Sequence, residues 1–333
     1  MRSYLDATTL PTVEVSGVPL PRLILGNLPF LGESYQGPEK NKIYAERFLH
    51  LENTINTLRR AVIDFGLTAV GVMPPTMGEL SRLFFEALRR ISTDTQVEVG
   101  LISCFMIPLS IRGERIDDYR RWVTYHSIES HGRPEVTEKY LSDPILLCRE
   151  GWRERFPGAL AKPKPYSREE IADITLERSR LEKILGAFSG FRTLLAEPGS
   201  ETDFLALTGR MDILEEVIET SAERLGCPVV VGTHHAGSTI PILDASEIPI
   251  SGYVTPVNSI GALMLPSQRQ ALEALSKTRK VLIATKTMAG GRIVPDEAFK
   301  YVFSRVGAGS CMIGVASETE LKQDVQAAMR FIT

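Results

Sequence analysis

The chain lacks several features that mark common classes of protein. Its 333 residues carry a formal net charge of −3, with 24% charged residues, so no excess of positive charge points to nucleic acid or anionic lipid. The first residues contain no apolar core of a signal peptide, and the longest apolar stretch, 97–111, is interrupted by Glu98 and Pro108. These absences predict a cytoplasmic protein with neither a nucleic-acid nor a membrane partner.

Cysteine is also scarce, and its spacing excludes the usual metal and redox motifs. No two of the four cysteines form a CxxC pair. They are Cys104, Cys148, Cys227 and Cys311. Three of them lie in apolar, strand-like contexts that suit small buried side chains. We therefore expect reduced, structural thiols.

What the chain does contain is an alternation of short apolar runs with amphipathic segments. Strand-like runs occupy 23–26, 68–72, 97–105, 191–196, 228–232, 250–254, 281–284 and 310–313. Helix-like segments occupy 46–65, 78–91, 212–225, 239–245, 267–276, 295–304 and 318–331. Such an alternation is typical of a parallel sheet with crossover helices. It predicts an α/β fold, a single (β/α)8 barrel over residues 1–333.

The alternation stops between Pro108 and Tyr166. This stretch is rich in charge and proline, yet it includes helix-like pieces at 117–128 and 134–141, and a long amphipathic helix is predicted at 167–188. A structureless loop of this length is improbable. We predict that 108–166 is a helical insertion after the third strand, over the C-terminal face of the barrel. Its aromatic side chains, which serve either a lid or simple packing, are Trp122, Tyr125, His126 and Trp152.

Two glycine-bearing turns follow the last two predicted strands. Their candidate ligand-binding residues are Gly290, Gly291, Arg292, Gly314 and Ser317. Glycine lets backbone N–H groups approach an anion, and a helix beginning at Ser317 directs its positive end to the same region. The turns predict a phosphate or other anion site between strands seven and eight. Two observations oppose it: glycine also makes tight βα turns, and Glu318 and Glu320 lie in the same first helical turn.

Three candidate catalytic groups lie at predicted C-terminal strand ends, which converge on one mouth in a barrel. Glu197 is a candidate general base or ligand for a substrate hydroxyl, with a solvated loop carboxylate as the alternative. Of the adjacent His234 and His235, strand alternation sends one towards the mouth, where it suits proton transfer, and His234 is the candidate. Two adjacent histidines and one carboxylate do not match zinc-ligand spacing, so no metal is predicted.

Lys286 is the third candidate, and its role is open between two chemistries. It is suited to pairing with a phosphate, or, if desolvated, to acting as the amine of a Schiff base with a carbonyl substrate. The alternative is a strand-end lysine that reaches solvent or bonds to a neighbouring carboxylate. Asn27 also lies at a strand end, after the first strand.

Four segments resemble the aldo-keto reductases, a family of NADP(H)-binding (β/α)8 barrels. Segment 13–26 resembles the hairpin that floors the barrel and leads into strand one, and 253–258 resembles the strand-six run that ends in an asparagine, here Asn258. Segments 288–291 and 314–324 resemble the strand-seven cofactor loop and the strand-eight turn that takes the adenosine phosphate end. The resemblance implies NADP as cofactor. The residues implied to bind it are Gly26, Asn27, Asn258, Gly290, Gly291, Arg292, Gly314 and Ser317.

The resemblance also implies a catalytic set that this sequence does not match. The family uses a tyrosine acid with a lysine, an aspartate and a histidine at the ends of strands two, three and four. Here segment 70–79 has no aspartate or tyrosine at the family's positions, 102–105 has no lysine, and Glu197 stands where the family has histidine. Thr285 takes the place of the tyrosine that stacks on nicotinamide.

Three functions are consistent with this sequence. The first is an enzyme acting on a small anionic carbonyl or hydroxyl compound, as an NADP-linked oxidoreductase with non-standard catalytic residues. The second is a cofactor-free aldolase, lyase or isomerase acting on a phosphorylated substrate through Glu197, His234 and Lys286. The third is a non-catalytic barrel that binds a ligand or partner through its insertion. A homo-oligomer is compatible with all three.

Overall fold

The computed structural model describes residues 10–332, which begin with a β-hairpin. Strands β1 (Thr12–Val15) and β2 (Val18–Pro21) pair antiparallel. Val15 and Leu20 of the hairpin are buried in one apolar cluster with Ile24, Ile102 and Val230 from inside the barrel. The hairpin therefore closes the bottom of the barrel, as the resemblance implies.

Eight further strands form the barrel, and three form a separate sheet. In chain order the strands are β3 (Leu23–Gly26), β4 (Ala69–Val72), β5 (Gly100–Phe105), β6 (Leu109–Ile111), β7 (Glu114–Arg115), β8 (Ile174–Leu176), β9 (Thr193–Pro198), β10 (Val230–Gly232), β11 (Gly252–Pro256), β12 (Val281–Thr285) and β13 (Ser310–Ile313). The parallel order in the large sheet is β10-β11-β12-β13-β3-β4-β5-β9. A parallel bridge between Ala196 and Val229, with Ala196 N–H donating to Pro228 O at 3.0 Å, joins its two edges. The predicted (β/α)8 barrel is confirmed.

Helices alternate with the barrel strands and cover the outside. They are α1 (Pro38–Phe48), α2 (Leu51–Phe65), α3 (Glu79–Thr95), α4 (Asp118–Glu129), α5 (Pro134–Ser142), α6 (Trp152–Ala161), α7 (Arg168–Ala172), α8 (Arg178–Gly186), α9 (Glu201–Thr208), α10 (Met211–Leu225), α11 (Ala236–Asp244), α12 (Gln268–Lys277), α13 (Pro295–Phe299) and α14 (Glu318–Ala328). Among residues 10–332, no helix combines the length and the apolar character needed to cross a bilayer.

Two helices that were predicted to be continuous are interrupted in the structure, so these two predictions are wrong. The predicted helix 46–65 is two helices, α1 and α2, separated at Leu49 and His50. The predicted helix 167–188 is interrupted by β8, in which Ile174 and Leu176 are buried while Thr175 is exposed. This alternation has the period of a strand, and β8 pairs antiparallel with β6. The capping box at Ser167 starts only the short helix α7.

The segment between β5 and β9 stands at the C-terminal ends of the barrel strands. It contains the sheet β7-β6-β8 and helices α4, α5 and α6, so it is part sheet and part helix. Side chains of this segment, among them Ile107, Arg121 and Arg149, line the same cavity as barrel-strand ends such as Gly26 and Glu197. The segment therefore forms one wall of the barrel mouth.

Candidate active site

A cavity of about 1190 Å³ opens at the C-terminal ends of the barrel strands. Barrel folds place their active sites at this face, and a cavity of this size accepts a small ligand or a cofactor. Glu197, His234 and Lys286 all line it. The structure thus brings together the three predicted catalytic residues from strands β9, β10 and β12.

Lys286 directly follows β12 and adopts a left-handed backbone with φ of 53°. A non-glycine residue in this conformation carries strain of the kind found at functional sites. Its Nζ lies 3.4 Å from Nε2 of His234 and 5.2 Å from the ring centre of Tyr35, which is also left-handed, with φ of 58°. Burial lowers the pKa of the Lys286 amine, and the nearby Glu197 opposes that shift.

His234 is the histidine that faces the cavity. Its backbone N–H donates to Oδ2 of buried Asp203 at 2.9 Å, which fixes the chain just after β10. Burial, reinforced by the neighbouring Lys286, lowers the pKa of His234 well below its usual value. The ring is therefore neutral at neutral pH, and its Nε2 can accept a hydrogen bond from Lys286 Nζ.

His235 points away from the cavity into the packing beneath α4. Its Nδ1 lies 2.9 Å from Oε2 of Glu129, and both side chains are only 1% exposed. Burial alone would lower the pKa of His235, but Glu129 outweighs burial and raises it. This pair joins the insertion to the barrel, which explains why only one of the two adjacent histidines is available to a ligand.

Glu197 lies in β9 with its side chain buried in the cavity wall. Burial raises the pKa of Glu197 to about 7, against the opposing influences of Lys286 and Cys104. A Cβ added to Gly232 would lie 3.1 Å from Oε1 of Glu197, so glycine makes room for the carboxyl group. A carboxyl group with a pKa near neutral can both donate and accept a proton.

The strand-seven turn presents unused backbone donors to the cavity. Gly290 and Gly291 line it with φ of 68° and 78°. A Cβ on Gly290 would lie 2.7 Å from the carbonyl oxygen of Tyr35. Within residues 10–332, no hydrogen-bond acceptor is paired with the N–H of either glycine. These two N–H groups are available to polar atoms of a ligand.

The strand-eight turn differs from the expected anion site. Gly314 lines the cavity, where a Cβ would lie 2.8 Å from Pro29 Cγ. Ser317 is outside the cavity lining, and its Oγ instead accepts from the N–H of Glu320 at 3.1 Å. Oε2 of Glu320 in turn accepts from the N–H of Ala316 at 2.7 Å. The protein's own carboxylate thus occupies a donor that a phosphate would use.

A second carboxyl group strengthens this effect. Asp324 lines the same end of the cavity, and burial together with Glu320 raises its pKa to about 7. Two carboxyl groups at one end of the cavity oppose the approach of an anion. The residues around the start of α14 therefore do not fit the adenosine phosphate of NADP.

Besides Ser317, two more of the predicted cofactor residues lie outside the cavity lining. Asn258 is fully buried, and its Nδ2 donates to Ala262 O at 2.9 Å and to Lys286 O at 3.3 Å. Arg292 donates to the backbone carbonyls of Tyr35 at 3.0 Å and Pro144 at 3.1 Å. Asn258 therefore holds the backbone of Lys286, and Arg292 ties the loop after β3 to the insertion.

The other two predicted residues line the cavity. Gly26 faces Met312 in the barrel interior, where a Cβ would lie 3.2 Å from Met312 Cγ. Oδ1 of Asn27 accepts from Met73 N–H at 3.3 Å, while Nδ2 is buried with no partner in the described part of the chain. This orphaned amide is a further donor for a ligand.

Sequence reasoning missed several residues of the site. Tyr35 precedes α1 in an irregular loop, and no sequence signal marks its approach to Lys286. Cys104 is paired with Glu197 in the register of β5 and β9. Its position near the end of a predicted strand could have been recognised from the sequence. Burial raises the pKa of the Cys104 thiol well above its usual value, so it is an inert wall group rather than a nucleophile. Across the described residues, His, Cys, Asp and Glu side chains form no metal-binding group of three.

The comparisons with known proteins rest on structure. No protein-family model and no curated protein sequence matches the chain. Two crystal structures of an aldo-keto reductase from Pseudomonas aeruginosa match its full length at 14% identity. Their TM-scores are 0.56 and 0.55, and the matches cover 100% and 99% of those chains. The aldo-keto reductase of Bombyx mori in complex with NADP matches at 10% identity and a TM-score of 0.47, over 98% of this chain and 93% of its own. The chain therefore has the fold of the aldo-keto reductases.

Proposed function

We propose that the protein is an enzyme that forms a Schiff base between Lys286 and a small anionic carbonyl compound. The observation that carries this proposal is the setting of the amine. Lys286 Nζ lies in the cavity wall 3.4 Å from His234 Nε2, and no carboxylate of residues 10–332 lies within ion-pair distance of it. A desolvated lysine without an ion-pair partner is the form in which lysine acts as a nucleophile.

The reaction begins from the neutral amine of Lys286, which burial favours and which donates a hydrogen bond to His234 Nε2 at 3.4 Å. Nζ then adds to the carbonyl carbon. The carbonyl oxygen gains two protons and leaves as water, while Nζ loses two protons. Glu197, whose pKa of about 7 keeps much of it protonated at neutral pH, supplies a proton to the departing oxygen. The products are the imine and one molecule of water.

The resulting imine is an electron sink for the carbon next to it. A protonated C=N bond accepts the electron pair released when a neighbouring C–C or C–H bond breaks, which is the chemistry of aldolases, lyases and some isomerases. Glu197 and His234 are placed on the same cavity to receive or return the proton. The reaction needs no cofactor.

Borohydride trapping tests this proposal. The protein is incubated with pyruvate or with glyceraldehyde 3-phosphate, reduced with borohydride, and digested for mass spectrometry. We expect a stable adduct on the peptide that contains Lys286, with the mass of the probe less one oxygen atom. Lys286→Met should abolish that adduct, whereas Lys322→Met, which removes an exposed lysine on α14, should leave it unchanged. An adduct spread over surface lysines, or none with either probe, would contradict the proposal.

A nicotinamide-linked oxidoreductase is the second candidate. Two observations favour it: the full-length match to the Pseudomonas aeruginosa aldo-keto reductase fold, and the unused N–H groups of Gly290 and Gly291 in the cavity wall. The start of α14 opposes the phosphate of NADP, because Glu320 holds the N–H of Ala316. A thermal-shift comparison of NADPH and NADH separates the candidates. A rise in melting temperature with either nucleotide supports this second function. A rise with NADPH alone would also contradict the conclusion that the start of α14 does not fit the NADP phosphate.

A further inference from the structure

The charged side chains that line the cavity come from two parts of the chain. One is the barrel loops, and the other is the segment 106–184, which contains the predicted insertion 108–166 and is called the insertion from here on. Residues of this segment contribute five cations and one carboxylate. They are Arg115, Arg121, Arg149, Arg180, Lys183 and Asp118. The barrel loops contribute one cation, Lys286, and five carboxyl groups. These are Glu33, Glu197, Glu201, Glu320 and Asp324. The cavity is therefore positive along the insertion and negative along the barrel.

The end of the cavity near α14 is poorly suited to bind an anion. Glu320 already occupies the N–H of Ala316, and Glu318 beside it pairs with Arg60 at 2.6 Å. Asp324 adds a buried carboxyl group to the same end. Any carboxylate or phosphate placed at the α14 end would meet like charge, and the Ala316 N–H there is already taken.

The insertion side offers free cations. Arg121 is held by Glu201 and Asp118, and Arg149 is held by Asp118. Arg115 and Lys183, by contrast, have no carboxylate partner among residues 10–332. The sheet order β7-β6-β8 brings the strand of Arg115 and the strand that leads into α8, which carries Lys183, onto one small sheet.

We infer that the insertion holds the anionic group of the substrate, with Arg115 and Lys183 as its direct ligands. The inference rests on the proposed function, because it places the carbonyl at Lys286 and the anion on the part of the wall formed by the insertion. The substrate class is a carbonyl compound that carries a carboxylate or a phosphate ester some distance from the carbonyl carbon. We therefore assign anion recognition to the insertion and not to the two glycine turns. The turns would contact neutral polar atoms of the substrate.

Binding of anions without a carbonyl group tests this inference separately from imine formation. Inorganic phosphate and malonate are titrated calorimetrically at low ionic strength into the wild type, Lys286→Met, and the double variant Arg115→Gln with Lys183→Gln. Both altered side chains are exposed, so folding is preserved. We expect the double variant to bind about tenfold more weakly or worse, as loss of charge-assisted contacts predicts. Lys286→Met should bind nearly as the wild type does.

A charge-matched control removes the effect of net charge. Lys42→Gln with Lys277→Gln deletes two lysines that are 77% and 71% exposed and lie outside the cavity. Equal weakening in the control and test variants would overturn the inference, as would unchanged binding in the test variant. The relative affinity for phosphate and malonate identifies the anion. Trapping of the uncharged probe dihydroxyacetone on Lys286 in the test variant would show that only the anion site had failed.

Discussion

Glu129→Gln is expected to detach the insertion from the barrel. Glu129 is buried on α4 and accepts three hydrogen bonds, from His235 Nδ1 at 2.9 Å, Tyr140 OH at 2.8 Å and Ser238 OH at 2.7 Å. Removing one partner of a buried ion pair costs about 3–5 kcal/mol. Because glutamine keeps one acceptor, we expect the lower end, a loss of about 3 kcal/mol in the free energy of unfolding.

The two tryptophans make this loss measurable in one region. Trp122 and Trp152 are the two tryptophans of the sequence, both lie in the insertion, and the Trp122 ring centre is 5.4 Å from that of His235. Tryptophan fluorescence in urea therefore reports on the insertion, whereas far-ultraviolet circular dichroism reports mainly on the barrel. In Glu129→Gln we expect the fluorescence midpoint to fall further than the dichroism midpoint.

The pH dependence of the loss identifies its cause. Glu129 raises the pKa of His235 in the folded protein, so the stabilisation is fully present below the unfolded histidine pKa of about 6.5. It declines as pH rises through the folded pKa. The difference in the free energy of unfolding between wild type and Glu129→Gln should therefore become smaller from pH 6 to pH 9. A gap that is independent of pH, or no larger than that of the exposed control Glu138→Gln, would refute the ion-pair explanation.

Two further predictions concern the cavity, and a third concerns Arg292 beside it. Gly232→Ala should displace the Glu197 carboxyl group, since the new Cβ would lie 3.1 Å from Oε1, and slow borohydride-trapped adduct formation. The same Cβ would lie 3.2 Å from the carbonyl oxygen of Pro198, so the melting temperature should fall as well, and normal trapping would show that Glu197 is dispensable. The trapping rate of the wild type should fall as pH rises above about 7, where Glu197 loses its proton, and Glu197→Gln should remove that decline. Arg292→Met should lower the free energy of unfolding by about 1–2 kcal/mol through its lost bonds to the Tyr35 and Pro144 carbonyls, measured in urea against Arg59→Met.

The barrel was predictable because its signals are local. The last strand, 310–313, follows from four apolar or small residues before a turn, and Ser317 marks the start of α14 by capping, as the structure has it. The error at 167–188 has an equally local cause. Ile174 fits a helical stripe with Ile171 and Leu181, and it also fits a two-residue strand period with Leu176. Only pairing with β6 selects the strand.

The meeting of the three candidate residues in one cavity was predictable from sequence, and their partners were not. Strand ends converge in a barrel, so Glu197, His234 and Lys286 could be placed at one mouth from sequence. Their protonation depends on burial and on neighbours from distant loops, such as Tyr35, which sequence spacing does not reveal. The strand-eight turn shows the same limit, because only the fold reveals that Glu320 reaches back to the N–H of Ala316.

The crystal structure of the protein trapped with pyruvate and borohydride is the most direct test of the account. We predict continuous electron density from Lys286 Nζ to the former carbonyl carbon, with Glu197 and His234 in contact with the adduct and its carboxylate directed towards the insertion. Pyruvate bound without a covalent bond to Lys286, or an adduct on another lysine with this amine unmodified, would contradict the account.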